Sequence, residues 1–378
     1  MSATISTTAF PDSKKHYEIL DALRGVAAIM VVIFHVFETH NTSRFDQIMN
    51  HGYLAVDFFF LLSGFVIGYA YDDRWGKMSL KQFFTRRLIR LHPMIIMGMI
   101  VGAGLYYFQV SDLWPIIGQT PVWKMLLVMF FGFTLLPLTP SMEIRGWAEM
   151  HPLDGPAWSL FYEYIGNILY AVFVRKFSNV ALSILVFVTG IALIHFLVTG
   201  PNGDVIGGWS LTPTQVHIGF LRLLFPFFGG LLLSRITKPT QINQAFLWCS
   251  LLVILSLSIP RIGDDTTVWM NGIYESIIII VVFPAIVYMG ASGTLEGKTA
   301  KGLGKFLGDI SYPIYITHYP IIYTYTAWVK DNKVSLSEAW PYGLLVIISS
   351  ISLAYICLKF YDIPVRKWLT DRYIYAKK

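Results

Sequence analysis

The sequence predicts an all-α membrane protein, a polytopic helix bundle of about ten transmembrane helices with both termini on the cytoplasmic side. Of its 378 residues, 55% are hydrophobic and only 14% are charged, which is far more apolar surface than one soluble core of this length would bury. Apolar runs of roughly 17–25 residues, the length that crosses a hydrocarbon core of about 30 Å, recur throughout the chain. The loops between these runs are short, so the chain reads as one membrane domain.

The predicted spans follow one another in order along the chain: 17–38, 53–71, 88–108, 156–174, 179–199, 217–233, 243–260, 272–290, 306–329 and 341–361. One further apolar stretch, 122–137, is interpreted as a re-entrant or interfacial segment. Counting it as a span would place Arg175 and Lys176 on the outer side, against the preference of basic residues for the cytoplasm. The membrane domain covers 17–362, between a cytoplasmic N-terminal segment (1–16) and a basic cytoplasmic tail (363–378).

The basic residues support this topology. Of the 29 Lys and Arg residues, twenty fall on the predicted cytoplasmic side and six on the outer side. The net charge of +6 therefore reflects orientation in the membrane, and nucleic-acid binding is not expected. The two cysteines, Cys249 and Cys357, lie in apolar spans, where a thiol behaves as a small hydrophobe. We expect neither a disulfide framework nor a metal site.

The first span carries ionisable residues that a membrane helix normally avoids. Arg24 and His35 are eleven positions apart, about three helical turns, so both side chains leave the same face of the helix. Along the axis they are separated by about 16 Å. One face therefore offers a cation toward the cytoplasm and an imidazole toward the outside, where it can act as a general base. In the alternative interpretation the two groups sit at the two interfaces, and Asp21 pairs with Arg24.

The second span places Asp57 at about the depth of His35. A carboxylate at this depth can hold the imidazole in one tautomer and stabilise its protonated form. The alternative is an Asp bonded to backbone amides at a helix start. Gly64, beside Ser63, would allow a neighbouring helix or a ligand chain to approach closely.

Three arginines stand at the predicted cytoplasmic mouth of the third span: Arg86, Arg87 and Arg90. A guanidinium binds phosphate in bidentate fashion, so three within a turn and a half of helix can form an anion clamp. The competing interpretation is that they are ordinary basic anchors of the cytoplasmic interface.

Four segments together resemble the acyltransferase-3 family of integral-membrane acyltransferases: LDALRGVAAIMVVIFH at 20–35, GYLAVDFFFLLSGF at 52–65, RRLIRLHP at 86–93 and PAWSLFYE at 156–163. A weaker fifth is LGDISYPIYITHYP at 307–320. The sequence departs from the usual family pattern at Ala55 and His92. The resemblance covers nearly the whole chain, with the motifs in the expected order.

The resemblance implies transfer of an acyl group, often acetyl, from cytoplasmic acyl-CoA to a hydroxyl on an extracytoplasmic acceptor such as a glycan, in a bacterial plasma membrane. No metal is implied. His35, Asp57, Arg24 and Glu163 are the expected catalytic residues. Coenzyme A cannot cross a bilayer, but its pantetheine arm is roughly as long as the Arg24 to His35 separation, so the nucleotide would stay at the three arginines while the thioester reaches His35.

Further residues are expected to bind substrate. Glu163 lies one turn after Ser159 on the same helix face, so we expect both, with Trp158, to line the outer half of the site and hold the acceptor or the oxyanion. The alternative is a capping box at the start of a helix. Ser311 and His318 are weaker candidates, since with Tyr312 they can also be polar groups that bond across helices.

Two other interpretations remain open. The polar stretch 138–155 can contact the acceptor, although a solvated loop is the simpler expectation for it. The chain as a whole can instead be a secondary transporter or proton-coupled carrier, because such proteins also place acids, Arg and His within the membrane. Against a transporter stands the lack of any repeat between the two halves of the sequence.

Overall fold

All regular structure in the described part of the chain is helical. The computed structural model describes residue 14 and residues 16–375, so the other residues of the predicted N-terminal segment and the last three of the predicted tail lie outside the described residues. Within the described residues no strand occurs, and the predicted all-α class is confirmed. The α-helices in these residues are α1 (Glu18–Glu38), α2 (Ala55–Tyr71), α3 (Leu80–Leu105), α4 (Ile116–Gln119), α5 (Val122–Gly132), α6 (Ala157–Val172), α7 (Asn179–Thr199), α8 (Pro213–Ile236), α9 (Ala245–Ser258), α10 (Trp269–Ile277), α11 (Phe283–Ala291), α12 (Lys298–Thr317), α13 (Tyr319–Asn332), α14 (Leu336–Cys357) and α15 (Ile363–Tyr373).

Three helix junctions shape the bundle. A π-helical turn at Ile278–Val282 joins α10 to α11, and another at Leu358–Asp362 joins α14 to α15, so each pair forms one long rod. The junction between α12 and α13 is a break at His318. Pro320, the second residue of α13, has no N–H to donate to the preceding turn, which explains the interruption.

Seven helices in the described residues are long and apolar enough to cross a membrane: Glu18–Glu38, Gly52–Arg74, Leu80–Gln109, Asn179–Thr199, Pro213–Ile236, Trp269–Ala291 and Leu336–Tyr373. The other three predicted spans coincide with helices that are shorter, namely α6 and α9 with 16 and 14 residues, or broken, namely α12 with α13. The count of ten and the orientation therefore stay predictions. The stretch interpreted as re-entrant or interfacial contains α5, which at 11 residues reaches about 16 Å.

The first helix lies in the middle of the bundle. α1 contacts α2, α9, α11, α12 and α14, and most of its side chains are buried. α7, by contrast, lies at the rim and exposes large apolar side chains such as Val180 and Phe187, which are 70% and 69% exposed. An exposed apolar face of this kind fits contact with lipid. The central position of α1 takes Arg24 and His35 away from the rim of the bundle.

Two glycines allow close helix contacts around α1 and α2. A Cβ atom at Gly64 of α2 would lie 1.8 Å from the carbonyl oxygen of Phe227 on α8, and one at Gly25 of α1 would lie 2.2 Å from that of Leu307 on α12. Only glycine permits backbones to approach so closely. The prediction that Gly64 admits a neighbouring helix is confirmed. These contacts hold α2 on α8 and α1 on α12.

Candidate active site

The arginine and the histidine of α1 both turn toward the interior. We call the end of the bundle at which α1 begins the inner end, and the opposite one the outer end. Arg24 donates to Asp21 at 2.9 Å and interacts electrostatically with Arg90 on α3. His35 contacts His318 and Tyr319, which lie between α12 and α13 and at the start of α13. Arg24 thus lies toward α3 and His35 toward the junction of α12 and α13, and α3 packs on both of those helices.

The acid beside His35 is Glu38. Its Oε2 lies 2.6 Å from Nδ1 of His35, one helical turn away on the same face. Because a carboxylate can only accept, Nδ1 carries the hydrogen and Nε2 keeps its lone pair. This is the tautomer that a general base needs, with the carboxylate placed to stabilise the imidazolium that forms.

The prediction that Asp57 would orient His35 is wrong. Asp57 is fully buried and bonds Arg222 of α8, with 2.7 Å between Oδ2 and Nη2 and 3.3 Å between Oδ1 and Nε. The close packing of α2 on α8 turns Asp57 toward that guanidinium, and a buried cation requires a counter-charge. The guanidinium also lies 5.2 Å from the ring of Trp158. Arg222 was the signal in the sequence, because an Arg within an apolar span is expected to pair with an intramembrane acid.

A second histidine stands against His35. The two rings of His35 and His318 are stacked, with centroids 5.7 Å apart. Nδ1 of His318 lies 2.9 Å from the carbonyl oxygens of both Ile314 and Tyr315, so it is the protonated nitrogen. Nε2 is buried, and it has no hydrogen-bond partner among the described residues. His318, a weaker candidate from sequence, therefore lies in the site beside the proposed base.

Ser159 borders the same region, and Ser311 does not. The Ser159 hydroxyl donates to the Pro156 carbonyl at 3.0 Å and lies 2.7 Å from the hydroxyl of Tyr315, whose ring is 6.2 Å from that of His318. Ser311 bonds the Gly308 carbonyl of its own helix at 2.8 Å. The expectation that Ser311 binds substrate therefore has no support in its contacts.

Glu163 and Arg87 form a pair, which corrects two expectations. Glu163 Oε1 accepts from Arg87 Nη2 at 2.7 Å and from the Ser63 hydroxyl at 2.6 Å. Arg87 stands seven residues into α3 from the inner end, so Glu163 faces this partner and not an acceptor in the outer half. Arg87 is buried and neutralised, which removes it from an open anion clamp. Arg87 is buried and Glu163 is half-buried on the facing helix, where an unpaired charge would be costly.

The inner end nevertheless holds a basic cluster drawn from three helices. Arg90 of α3 interacts electrostatically with Arg24 of α1 and with Arg366 of α15. The nearby acids are Asp21 and Asp362. Arg366 donates to Asp362 at 2.8 Å. Arg366 was predicted to lie in the basic tail. It joins this cluster because α15 packs against α3. The third arginine of the predicted clamp, Arg86, is half-buried one position before Arg87.

The stretch 138–155 is not a solvated loop, contrary to the simpler expectation. Its charged and titratable members are all buried: Glu143, Arg145, Glu149, His151 and Asp154. Arg145 lies over the ring of Tyr323 at 3.5 Å and donates to Gln109 at 2.8 Å, and the Tyr323 hydroxyl donates to Glu149 at 2.7 Å. The charged side chains of this loop can be buried because Tyr323 of α13 offers its ring face to Arg145 and its hydroxyl to Glu149.

Burial changes the protonation of this loop. It raises the pKa of Glu149 to about 7, against the opposing effect of Arg145, and lowers the pKa of His151 to about 4. The pKa of Asp154 is raised well above its usual range, by burial and then by the neighbouring Glu149.

Together the fold and these contacts define a polytopic membrane protein with an acid–base site at the centre of its helix bundle. The chain belongs to the acyltransferase-3 family, because the family model, described as an acyltransferase domain, matches residues 17–359. The resemblance seen in the motifs is thereby confirmed.

Two of the similar proteins carry O-acetyltransferase names. The O-acetyltransferase OatA of Staphylococcus aureus strain NCTC 8325 is 23% identical over 382 residues, covering 94% of this chain and 58% of that protein. A putative O-acetyltransferase of Staphylococcus aureus strain COL is 23% identical over 389 residues, covering 96% of this chain and 59% of that protein. Protein 2 in the picA locus of Rhizobium radiobacter is 30% identical over 167 residues, covering 42% of this chain and 82% of that protein. The chain thus spans less than two thirds of the length of both staphylococcal proteins, and no solved structure matches it.

Proposed function

We propose that this protein transfers an acyl group, most simply acetyl, from cytoplasmic acyl-CoA to a hydroxyl of an extracytoplasmic acceptor such as a cell-surface glycan. Family membership and the O-acetyltransferase names of its relatives support the reaction class. The observation that carries the proposal is the geometry of His35, whose Nδ1 is held by Glu38, which leaves the Nε2 lone pair available as a base.

The basic cluster at the inner end would receive the phosphates of coenzyme A. Arg24, Arg90 and Arg366 come from different helices and converge on one region, where the phosphate groups would compete with Asp21 and Asp362 for Arg24 and Arg366. Arg24 stands about 16 Å along α1 from His35. A pantetheine arm directed along this face would therefore bring the thioester to His35 while the nucleotide stays among the arginines.

The reaction is acyl transfer between sulfur and oxygen. Nε2 of His35 removes the proton from the acceptor hydroxyl as its oxygen attacks the thioester carbonyl carbon. The carbon–sulfur bond then breaks, an ester forms, and the thiolate of coenzyme A takes up the proton held by His35. A two-step route through an acyl-imidazole uses the same groups.

The test is acyl transfer by the purified protein in lipid vesicles. With acetyl-CoA and an oligosaccharide acceptor, we expect release of the coenzyme A thiol together with an acetyl ester detected by mass on the acceptor. His35→Ala should abolish both while the protein still inserts normally. The matched control is His40→Ala, which removes a histidine at the outer end that bonds Tyr325.

Three results would count against the proposal. Full transfer by His35→Ala would remove this residue from the mechanism. Thiol release without ester on any hydroxyl acceptor would exclude the acceptor class. Movement of a solute across the vesicle membrane without chemistry would favour the transporter.

A further inference from the structure

Asp154 is a buried carboxyl group at the start of α6. Its side chain has no exposed surface, and its backbone carbonyl accepts from Ala157, the first residue of α6. It is wedged between α3 and α12: a Cβ atom at Gly98 of α3 would lie 2.5 Å from Oδ2 of Asp154 and 2.8 Å from the carbonyl oxygen of Ile316 on α12. Only the absence of a side chain at Gly98 leaves room for this carboxyl group.

Neither oxygen of this carboxyl group has a hydrogen-bond partner among the described residues. A buried polar group without a partner destabilises the fold by roughly 1–3 kcal/mol, so it requires an explanation. Burial raises the pKa of Asp154 well above its usual range, and the neighbouring acid Glu149 raises it further. Because burying an ionised carboxylate without a counter-charge is far more costly than burying the neutral acid, the protonated form is favoured, and it presents an O–H donor in a site sheltered from water.

The surroundings of Asp154 join it to the site around His35. A Cβ atom at the next residue, Gly155, would lie 3.1 Å from the ring of Tyr319, which in turn packs 4.7 Å from the ring of His35. On its other side Asp154 interacts electrostatically with Tyr315, the partner of Ser159. Glu149 differs from Asp154 in having polar neighbours, since its Oε1 accepts from the Tyr323 hydroxyl and its Oε2 lies 3.5 Å from Nε of Arg145.

We propose that the Asp154 carboxyl group donates a hydrogen bond to the carbonyl oxygen of the bound acyl thioester. The inference rests on the proposed function, and it adds a catalytic residue to it. As the acceptor oxygen attacks, negative charge develops on the carbonyl oxygen, and a donor already in place stabilises it without reorganisation. The proton stays on Asp154. When the carbon–sulfur bond breaks, the carbonyl double bond re-forms and the thiolate takes the proton from His35.

Two substitutions separate a hydrogen-bond donor from a charged group. Asp154→Asn keeps the size and offers an amide N–H donor, so it should retain kcat to within about tenfold. Asp154→Ala removes the donor and should lower kcat by about 10²–10³, with a much smaller change in KM for acetyl-CoA. An Asn variant as inactive as the Ala variant would show that a carboxylate is required and would overturn the proposal. An Ala variant with normal kcat would do the same.

An infrared measurement tests the contact without relying on turnover. Acetonyl-CoA, in which a methylene group separates sulfur from the carbonyl, binds as a donor but cannot transfer its acyl group. Adding it to the wild-type protein should shift the C=O stretch of a protonated carboxylic acid, and this signal should be missing in Asp154→Asn. A wild-type protein that lacks the signal, or in which acetonyl-CoA leaves it unchanged, would overturn the role of Asp154. A shifted signal in a protein that transfers no acyl group would instead retain Asp154 as a carbonyl ligand and reject the proposed function.

Discussion

His35 and its carboxylate partner are the residues on which the proposed chemistry depends. Glu38 approaches Nδ1 at 2.6 Å and is itself partly exposed at the outer end, with 42% of its side chain accessible. Glu38 therefore orients the His35 ring and stabilises a positive charge on it, while its own carboxylate stays in contact with solvent. His35 can cycle between neutral and protonated forms only if that stabilisation is moderate.

Glu38→Gln tests this role. The amide still accepts from Nδ1–H and preserves the tautomer, but it no longer offers a negative charge to the imidazolium. We expect kcat to fall by roughly 10- to 100-fold, a part of what general base catalysis contributes, with little change in KM for acetyl-CoA. Asp46→Asn, which alters an outer-end carboxylate bonded only locally to Thr42 and Ser43, is the control. Equal rates for the two variants would show that Glu38 does not assist His35.

The buried pair of Asp57 and Arg222 should be structural. Asp57→Asn leaves a buried guanidinium without its counter-charge, and we expect the free energy of unfolding to fall by about 3–5 kcal/mol, measured by thermal unfolding in detergent. The double variant Asp57→Leu with Arg222→Met removes both charges and should recover most of this stability. A double variant that is stable yet inactive would show that Asp57 has a catalytic role after all.

At the scale of elements, the loop before α6 is a buried polar layer whose stability depends on pH. The pKa of Glu149 in the folded protein is about 7, above its ordinary value of 4.5. The folded state therefore holds a proton that the unfolded state has already released, so Glu149 lowers stability as pH rises from about 4.5 through 7. Asp154 acts in the same direction, while His151, with a pKa of about 4, acts in the opposite one between about 4 and 6.5.

Comparison with Glu149→Gln isolates this contribution. The amide can still accept from the Tyr323 hydroxyl but does not titrate. As pH rises from 5 to 8, the wild type should lose stability relative to the variant by at most about 3 kcal/mol, and the difference should level off above pH 7. Hydrogen exchange of residues 138–155 measures it locally. A difference that does not change with pH would mean that Glu149 is ionised throughout this range.

The topology of the chain depends on how many helices cross the membrane, and α9 is the critical case. α9 has only 14 residues, yet it joins a predicted inner loop to a predicted outer one. In a protein whose buried Cys249 and Cys357 are replaced by Ala, we expect an impermeant maleimide to label Asp265→Cys in intact cells, and Lys238→Cys only after permeabilisation. Both positions are exposed in the structure, so accessibility does not bias the comparison. Labelling of both from the same side would show that α9 does not cross.

Local patterns in the sequence were sufficient to predict the helical class, the positions of the long apolar helices and the shared face of Arg24 and His35. These follow from local quantities, namely runs of apolar residues and the 3.6-residue period, which a linear sequence states directly. It also indicated the family, since the motifs are contiguous segments.

Which charges meet depends on how the helices and loops pack in three dimensions. Asp57 was expected beside His35 and instead meets Arg222, Glu163 meets Arg87, and the polar stretch before α6 is buried against α13. Each of these contacts joins residues far apart in the chain through the packing of one element on another. A buried charge takes whichever opposite charge the packing presents, and helical periodicity within one segment does not contain that information.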